Sequence, residues 1–305
     1  MIKRAVVVGV NDYSVQGISS LGGCVGDARS IYHLLINSFG FDPKQIFYYT
    51  DNKASRTNIL RALRYITVNG EAGDVAFFYF AGHGARIRAD KGKADCDKYY
   101  ETIIPYSGDY ITDYDISNIA NSLQPSYVNF TIMLDSCHSG GMHKTDAVQK
   151  CTPRSPVLSE QLIRMLVQYL KTVIPCGICI PIGANVLDNN ITSCRDKGNG
   201  MVDLDEAPNM TLVAQAKSTL ISACKFSETA KEDPKLGHGF LTQSFIDLVG
   251  KTCFIISYRE LAAELISKVG KYVSTLAAGD TQVPQLRGQM NRMDETFLEG
   301  WRDCR

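Results

Sequence analysis

The run Val75-Ala76-Phe77-Phe78-Tyr79-Phe80-Ala81 is apolar without interruption and stops at Gly82-His83-Gly84. A second run, Asn129 to Leu134, stops in the same manner at Asp135-Ser136-Cys137-His138-Ser139-Gly140. Continuous apolar runs of this length, bounded by turn residues, read as strands buried on both faces. Each delivers one reactive side chain at its end. The chain is thereby constrained to an architecture that covers both faces of a sheet.

The rest of the first half fits that requirement. Arg4 to Val10, rich in valine, reads as another buried strand, and Gln45 to Thr50 as a further one. Between them Asp27 to Phe39 places Ile31, Leu34, Leu35 and Phe39 at helical spacing, with Gly40 as a stop. Thr57 to Val68 repeats the pattern with Ile59, Leu60, Leu63 and Ile66, and Asn69-Gly70 ends it. Strands interleaved with helices predict an α/β fold: a mostly parallel central sheet with helices on both faces. The polar stretch Arg86 to Gln124 is long for a loop and holds a short element at Thr102 to Tyr106 and a helix starting near Thr112. Beyond the second glycine-bounded motif the texture changes. From Met142 to about Ala216 the only regular element expected is a helix over Ser159 to Lys171. A strand at Ser218 to Ala223 and helices at Phe240 to Val249 and Tyr258 to Leu276 follow.

Composition matters here for what it excludes. Lysine plus arginine equals aspartate plus glutamate, 32 each, so no charge excess points to nucleic acid or to a membrane surface. The ten cysteines occur without a signal-peptide core, because the apolar stretch Ala5 to Val8 breaks at Gly9. The apolar patch Val173 to Ile182 is about half a membrane span. Reduced thiols in a cytoplasmic setting are the expectation.

A thiol becomes a useful nucleophile as its thiolate, and a nearby imidazole supplies the means. Ligands of open α/β sheets sit beyond the carboxyl ends of the strands, where both His83 and Cys137 fall. The glycines beside them permit tight turns, and backbone N–H groups of Gly84 and Cys137 are candidates for an oxyanion hole.

Tyr79-Phe80-Ala81-Gly82-His83-Gly84 and Asp135-Ser136-Cys137-His138-Ser139-Gly140 resemble the two catalytic signatures of metacaspases, within the caspase-like cysteine peptidases. The likeness extends in order to Leu21 through Ala28, Ile221-Ser222-Ala223-Cys224, Gly237-His238-Gly239-Phe240 and Pro284-Gln285-Leu286, and leaves Met142 to Ala216 uncovered. It implies a caspase-like fold over residues 1–305 as one domain. Residues 1–141 would correspond to the large portion, 142–216 to an inserted linker or lid, and 217–305 to the small portion. It also implies a His83–Cys137 dyad that hydrolyses peptide bonds through an acyl-enzyme, with no cofactor needed for the chemistry.

Specificity follows from carboxylates. Asp135, two residues before the nucleophile on a strand, faces the same side as Cys137. An unneutralised carboxylate there would raise the thiol pKa, a cost that a pocket for a cationic side chain explains. In metacaspases the positions matching Asp27 and Asp135 line such a pocket, so a protein substrate with arginine or lysine before the cleaved bond is expected. Cys24 and Ala81 are further candidates for that pocket. Ala81 stands where the family often has serine, which leaves the lysine-versus-arginine preference open. Read without the resemblance, Asp27 is a helix cap or first-turn acid.

The resemblance also brings calcium as a candidate activator, held by acids between the two motifs: Asp97, Asp113 and Asp115, with Asp95 and Asp109 nearby. Hard oxygen ligands on loops suit calcium, while solvated loop acids are the bland alternative. Cys176-Gly177-Ile178-Cys179 has the spacing of half a zinc site but no second pair, and Arg195 to Glu206 puts cations where a calcium loop needs carboxylates. His33, His138 and His143 read as structural, and His238 as shaping a substrate loop. Within 142–216 the basic residues Lys144, Lys150, Arg154, Arg195 and Lys197 allow self-processing of a zymogen, although a lid or plain solvated charge fits equally. A monomer is the expected state, and programmed cell death the expected context; a death or defence complex belongs to the rival reading of an idle interaction module. The rival readings are an idle caspase-like interaction module and a transpeptidase.

Overall fold

The computed structural model describes residues 1–88, 99–122, 128–136, 152–153, 218–225, 228–233, 237–249, 255–276 and 279–299. Cys137, His138, His143, Lys144, Asp95, Asp97, the Cys176–Cys179 pair, Arg195 to Glu206 and the helix expected at Ser159 to Lys171 lie outside these.

The described strands are β1 (Lys3–Gly9), β2 (Ile46–Thr50), β3 (Val75–Ala81), β4 (Gly84–Arg88), β5 (Tyr99–Ile103), β6 (Ile111–Thr112), β7 (Asn129–Asp135), β8 (Thr152–Pro153), β9 (Thr219–Ser222), β10 (Lys231–Asp233), β11 (His238–Gly239) and β12 (Gln285–Arg287). The described helices are α1 (Cys24–Asn37), α2 (Arg56–Val68), α3 (Asp113–Asn121), α4 (Phe240–Val249) and α5 (Tyr258–Val273). Six strands form the central sheet in the order β12-β9-β7-β3-β1-β2, and only the β12–β9 pair is antiparallel. β4-β5-β6 and β8-β10-β11 form two small antiparallel sheets.

The central position of β3 follows from its composition. Phe77, Phe78, Tyr79 and Phe80 are wholly buried, so neighbours cover both of its faces and both of its edges. Burying each such ring contributes about 2–3 kcal/mol relative to leaving it in water. β2, at one edge, is half-buried along its whole length. β1 connects to β2 on one side and β3 lies on the other, so right-handed crossovers put α1 and α2 on opposite faces. α4 packs against α1 and α5, and α3 against α2. The strand order reverses between β1 and β3, and the C-terminal edge at such a reversal is where a sheet of this kind opens a crevice.

Local signals explain most element ends. Ser55 caps α2 through the Asn58 N–H at 3.3 Å. Thr112 and Ser257 form capping boxes with Asp115 and Glu260 at the starts of α3 and α5. α1 departs from expectation: it begins at Cys24, three residues before the predicted Asp27. Within its first turn the Val25 N–H donates to Asn11 Oδ1 at 3.2 Å. Glu232 on β10 accepts from the N–H groups just ahead of the helix, those of Gly22 at 3.0 Å and Gly23 at 3.1 Å, from about 210 residues away. α5 ends at Val273 with Ser274 as its cap, short of the expected Leu276.

Candidate active site

The β3–β7 register pairs Ala81 with Asp135, and the β1–β3 register pairs Gly9 with Ala81. Three strand ends therefore stop level with one another. Two residues beyond Ala81 the chain reaches His83, and two residues beyond Asp135 it reaches Cys137. Strand ends that are level put the Gly82-His83-Gly84 turn and the described Asp135-Ser136 at one edge of the sheet.

His83 is 1% exposed and held on every side. Its Nε2 lies 2.7 Å from the carbonyl oxygen of Ser19. A carbonyl only accepts, so Nε2 carries the hydrogen, and in the neutral ring the lone pair sits on Nδ1. Its backbone N–H donates to the Tyr13 hydroxyl at 2.8 Å, and its carbonyl accepts from the Ile104 N–H at 3.0 Å. A histidine with its tautomer fixed by a second partner is the arrangement a general base requires.

Asp27 and Asp135 are both wholly buried; Asp27 ends on β11, which runs directly into α4, and Asp135 on the first turn of α4. Asp27 accepts from the Gly239 N–H with both oxygens, at 3.1 and 3.2 Å, and from His238 Nδ1 at 2.7 Å. Asp135 Oδ2 accepts from the Thr242 N–H at 3.1 Å and from its hydroxyl at 2.6 Å. The N-terminus of a helix favours negative charge, and charge-assisted bonds of this kind offset the desolvation of a buried carboxylate. Cys24 is buried in the first turn of α1, and Ala81 closes β3. Ala81, lacking a hydroxyl, adds no side-chain donor to this group.

A profile of the metacaspase, peptidase C14 domain matches residues 3–146. Residues 3–146 belong to the metacaspase family. Metacaspase-4 of Arabidopsis thaliana is 35% identical over 147 residues, covering 47% of this chain and 34% of the relative. Metacaspase-9 of the same plant is 36% identical over 151 residues, which is 47% of this chain and 45% of the relative. Metacaspase-1 of Cryptococcus neoformans is 27% identical over 268 residues, 82% of this chain and 56% of the relative. The chain thus spans between about a third and just over half of the length of these relatives. A crystal structure of a Geobacter sulfurreducens protein superposes with a TM-score of 0.64 at 16% identity over 99% of this chain and all of the other, a likeness of fold.

In this metacaspase domain the described acids of the candidate calcium set are engaged elsewhere. Asp115 Oδ2 accepts from Arg56 at 2.9 Å and from the N–H and hydroxyl of Thr112 at 3.1 Å each, the bonds of a helix cap. Asp113, buried, accepts from the Tyr114 N–H at 2.8 Å. No group of three histidine, cysteine, aspartate or glutamate side chains that could hold a metal occurs among the described residues. Asp97, the third acid of that set, lies outside the described residues. No described helix is long and apolar enough to cross a membrane.

Four residues that sequence reasoning passed over shape this site: Tyr13, Ser19, Thr242 and Glu232. Ser19 acts through its carbonyl, which carries no sequence signal. Thr242 is three residues into a helix whose start was legible, but its partner Asp135 is 107 residues away.

Proposed function

We propose that the chain is a cysteine endopeptidase that cleaves after arginine or lysine, with Cys137 as nucleophile and His83 as its proton acceptor. The observation that carries this reading is the level register of β3 and β7, with Ala81 opposite Asp135. It brings a strand end followed by Gly82-His83-Gly84 beside one followed by Ser136-Cys137.

The Cys137 thiol gives its proton to Nδ1 of His83, and the thiolate attacks the scissile carbonyl carbon. The N–H groups of Gly84 and Cys137 receive the oxyanion. As the tetrahedral intermediate collapses, the C–N bond breaks and the imidazolium returns the proton to the departing amine. Water, deprotonated by His83, then attacks the thioester and releases the acid and the thiol. The Ser19 carbonyl supports the imidazolium, since Nε2–H already points at it. Burying a cation there is less costly with an acceptor in place.

Support for basic substrates comes from Asp27 and Asp135, two buried carboxylates that meet at the start of α4. An arginine or lysine side chain before the scissile bond supplies the positive charge to match them. The donors from Thr242 also explain how Asp135 lies two residues from a thiolate: part of its charge is already compensated, so it raises the thiol pKa less.

The test is hydrolysis of fluorogenic peptides ending in arginine, lysine or aspartate by the intact chain and by Cys137→Ala and His83→Ala. Cleavage after arginine or lysine that both substitutions abolish is expected. A preference for aspartate, or activity that persists in Cys137→Ala, overturns the proposal. The same assay with calcium present and chelated decides whether Asp97, Asp113 and Asp115 contribute an activating cation. Incubation of the intact chain followed by mass analysis decides whether it cuts itself between residues 142 and 216.

A further inference from the structure

We propose that Tyr13 is a positioning residue for the His83 imidazole, an inference that rests on the reading of His83 as proton acceptor to Cys137. Tyr13 lies on the loop after β1, and β1 and β3 are neighbours whose ends are level at Gly9 and Ala81. The loop therefore leaves the sheet beside the turn that carries His83. Its own backbone is anchored, because Asp51 Oδ1 accepts from the N–H groups of Asn11 at 2.8 Å and Asp12 at 2.9 Å.

Tyr13 is wholly buried, and its hydroxyl bonds to the backbone at His83 and at Ile104. It accepts from the His83 N–H at 2.8 Å and donates to the Ile104 carbonyl at 3.1 Å. Ile104 in turn donates its N–H to the His83 carbonyl at 3.0 Å. The backbone on both sides of the His83 Cα is thus held in one closed set of bonds, with the phenol oxygen as the link. The ring adds a second restraint, lying with its centroid 4.6 Å from that of the imidazole at a 52° tilt. Six residues along the same loop, the Ser19 carbonyl holds Nε2. One loop accordingly sets the backbone, the ring orientation and the tautomer of His83.

The same hydroxyl accounts for Gly82. A Cβ placed there would stand 2.4 Å from the Tyr13 oxygen, so the phenol occupies the volume that any side chain at position 82 would need. Atoms of the Phe80 ring at 2.8 and 3.0 Å close the remaining space. The first glycine of Gly82-His83-Gly84 and Tyr13 are therefore two halves of one fitted contact.

Tyr13→Phe keeps the ring and removes the link. With an arginine-ending peptide, kcat falls roughly 10- to 100-fold while KM stays within about twofold, since a misdirected imidazole affects the chemical step. A second readout separates this from loss of folded protein. The pH dependence of Cys137 alkylation by iodoacetamide, followed on its own peptide by mass spectrometry, moves from the parent profile towards that of His83→Ala. A Tyr13→Phe profile that overlays the parent, while His83→Ala departs from it, overturns the role of Tyr13 alone. A His83→Ala profile that overlays the parent overturns the dyad and the Tyr13 proposal with it. Should Tyr13→Phe not fold, Gly82→Ala carries the same expectation on both readouts, because its methyl displaces the same hydroxyl, and unchanged readouts there overturn the proposal.

Discussion

Thr242 donates twice to one oxygen of Asp135, its N–H at 3.1 Å and its hydroxyl at 2.6 Å. The hydroxyl in turn accepts from Tyr79 on the central strand, at 2.6 Å. A buried acid on β7 is thereby joined through α4 to a tyrosine on β3. Asp27 reaches the same helix start from α1, through Gly239. The helix terminus holds together two acids that the chain places 108 positions apart by their numbers, 135 less 27.

Thr242→Val removes the hydroxyl at nearly constant volume and leaves the backbone N–H in place. Loss of one charge-assisted hydrogen bond contributes about 1.5–3 kcal/mol. We expect kcat/KM for arginine peptides to fall at least about tenfold, mostly through KM. Values within twofold of the parent for both constants would count against Asp135 as a substrate-binding group.

Asp27→Ala leaves the Gly239 N–H and His238 Nδ1 without the carboxylate that now receives them. Orphaned buried donors and a lost helix-terminus acceptor together predict a loss of about 2–3 kcal/mol in urea unfolding. His238→Ala, which removes one partner from a side chain that is partly exposed, is expected to lose about 1 kcal/mol. Equal losses for the two variants would show that the helix terminus does not depend on Asp27.

Asp74 predicts a pH effect on stability. Burial works to raise its pKa, but donation from the Ile2 and Glu71 N–H groups and the Arg4 guanidinium outweighs burial and holds it below the ordinary carboxylate range. A group whose pKa is lowered by folding stabilises the native state above its unfolded value, and that stability drains away as pH falls through the folded value. Stability should therefore decline below about pH 4. In Asp74→Asn the decline over that range should be shallower, measured by thermal midpoints at successive pH values. Parallel curves would remove Asp74 as the cause.

Gly9→Ala tests how tightly α1 is seated on the sheet. A Cβ at Gly9 would lie 2.3 Å from the Cys24 carbonyl oxygen and 2.7 Å from the Ala28 Cβ. Since Cys24 and Asp27 share the first turn of α1, relief requires moving the helix start that carries them. Overpacking of this kind destabilises by about 3 kcal/mol, a fall in thermal midpoint of roughly 6–12 °C for a chain of this size. A midpoint unchanged within about 2 °C would mean that α1 gives way easily.

Much of the central sheet was legible because its signal is local. Continuous apolar runs gave β1, β2, β3, β7 and β9 to within a residue or two, and amphipathic spacing gave α1, α2, α4 and α5. Capping residues such as Thr112 marked a helix start directly. The early start of α1 was not legible, because the acceptors around it, the Asn11 side chain and the Glu232 carboxylate about 210 residues later, lie outside the helix itself. The edge strand β12 escaped for a related reason: three residues paired antiparallel to β9 carry too little periodicity to declare themselves.

His83 and Cys137 were singled out through the glycines and apolar runs around them, and the structure describes the strand ends that precede both but, of the two residues, only His83. Asp27 and Asp135 could be named from sequence, but not the fact that one helix terminus receives both. Tyr13 and Ser19 could not be named at all, because nothing near them in the chain refers to His83. Their role arises from the strand order, which sets β1 beside β3 with level ends and lets one loop reach the other turn. Local composition determines which segments must be buried. Tertiary structure determines which distant donors and acceptors meet once they are, because buried polar groups must find partners wherever the packing has brought one within reach.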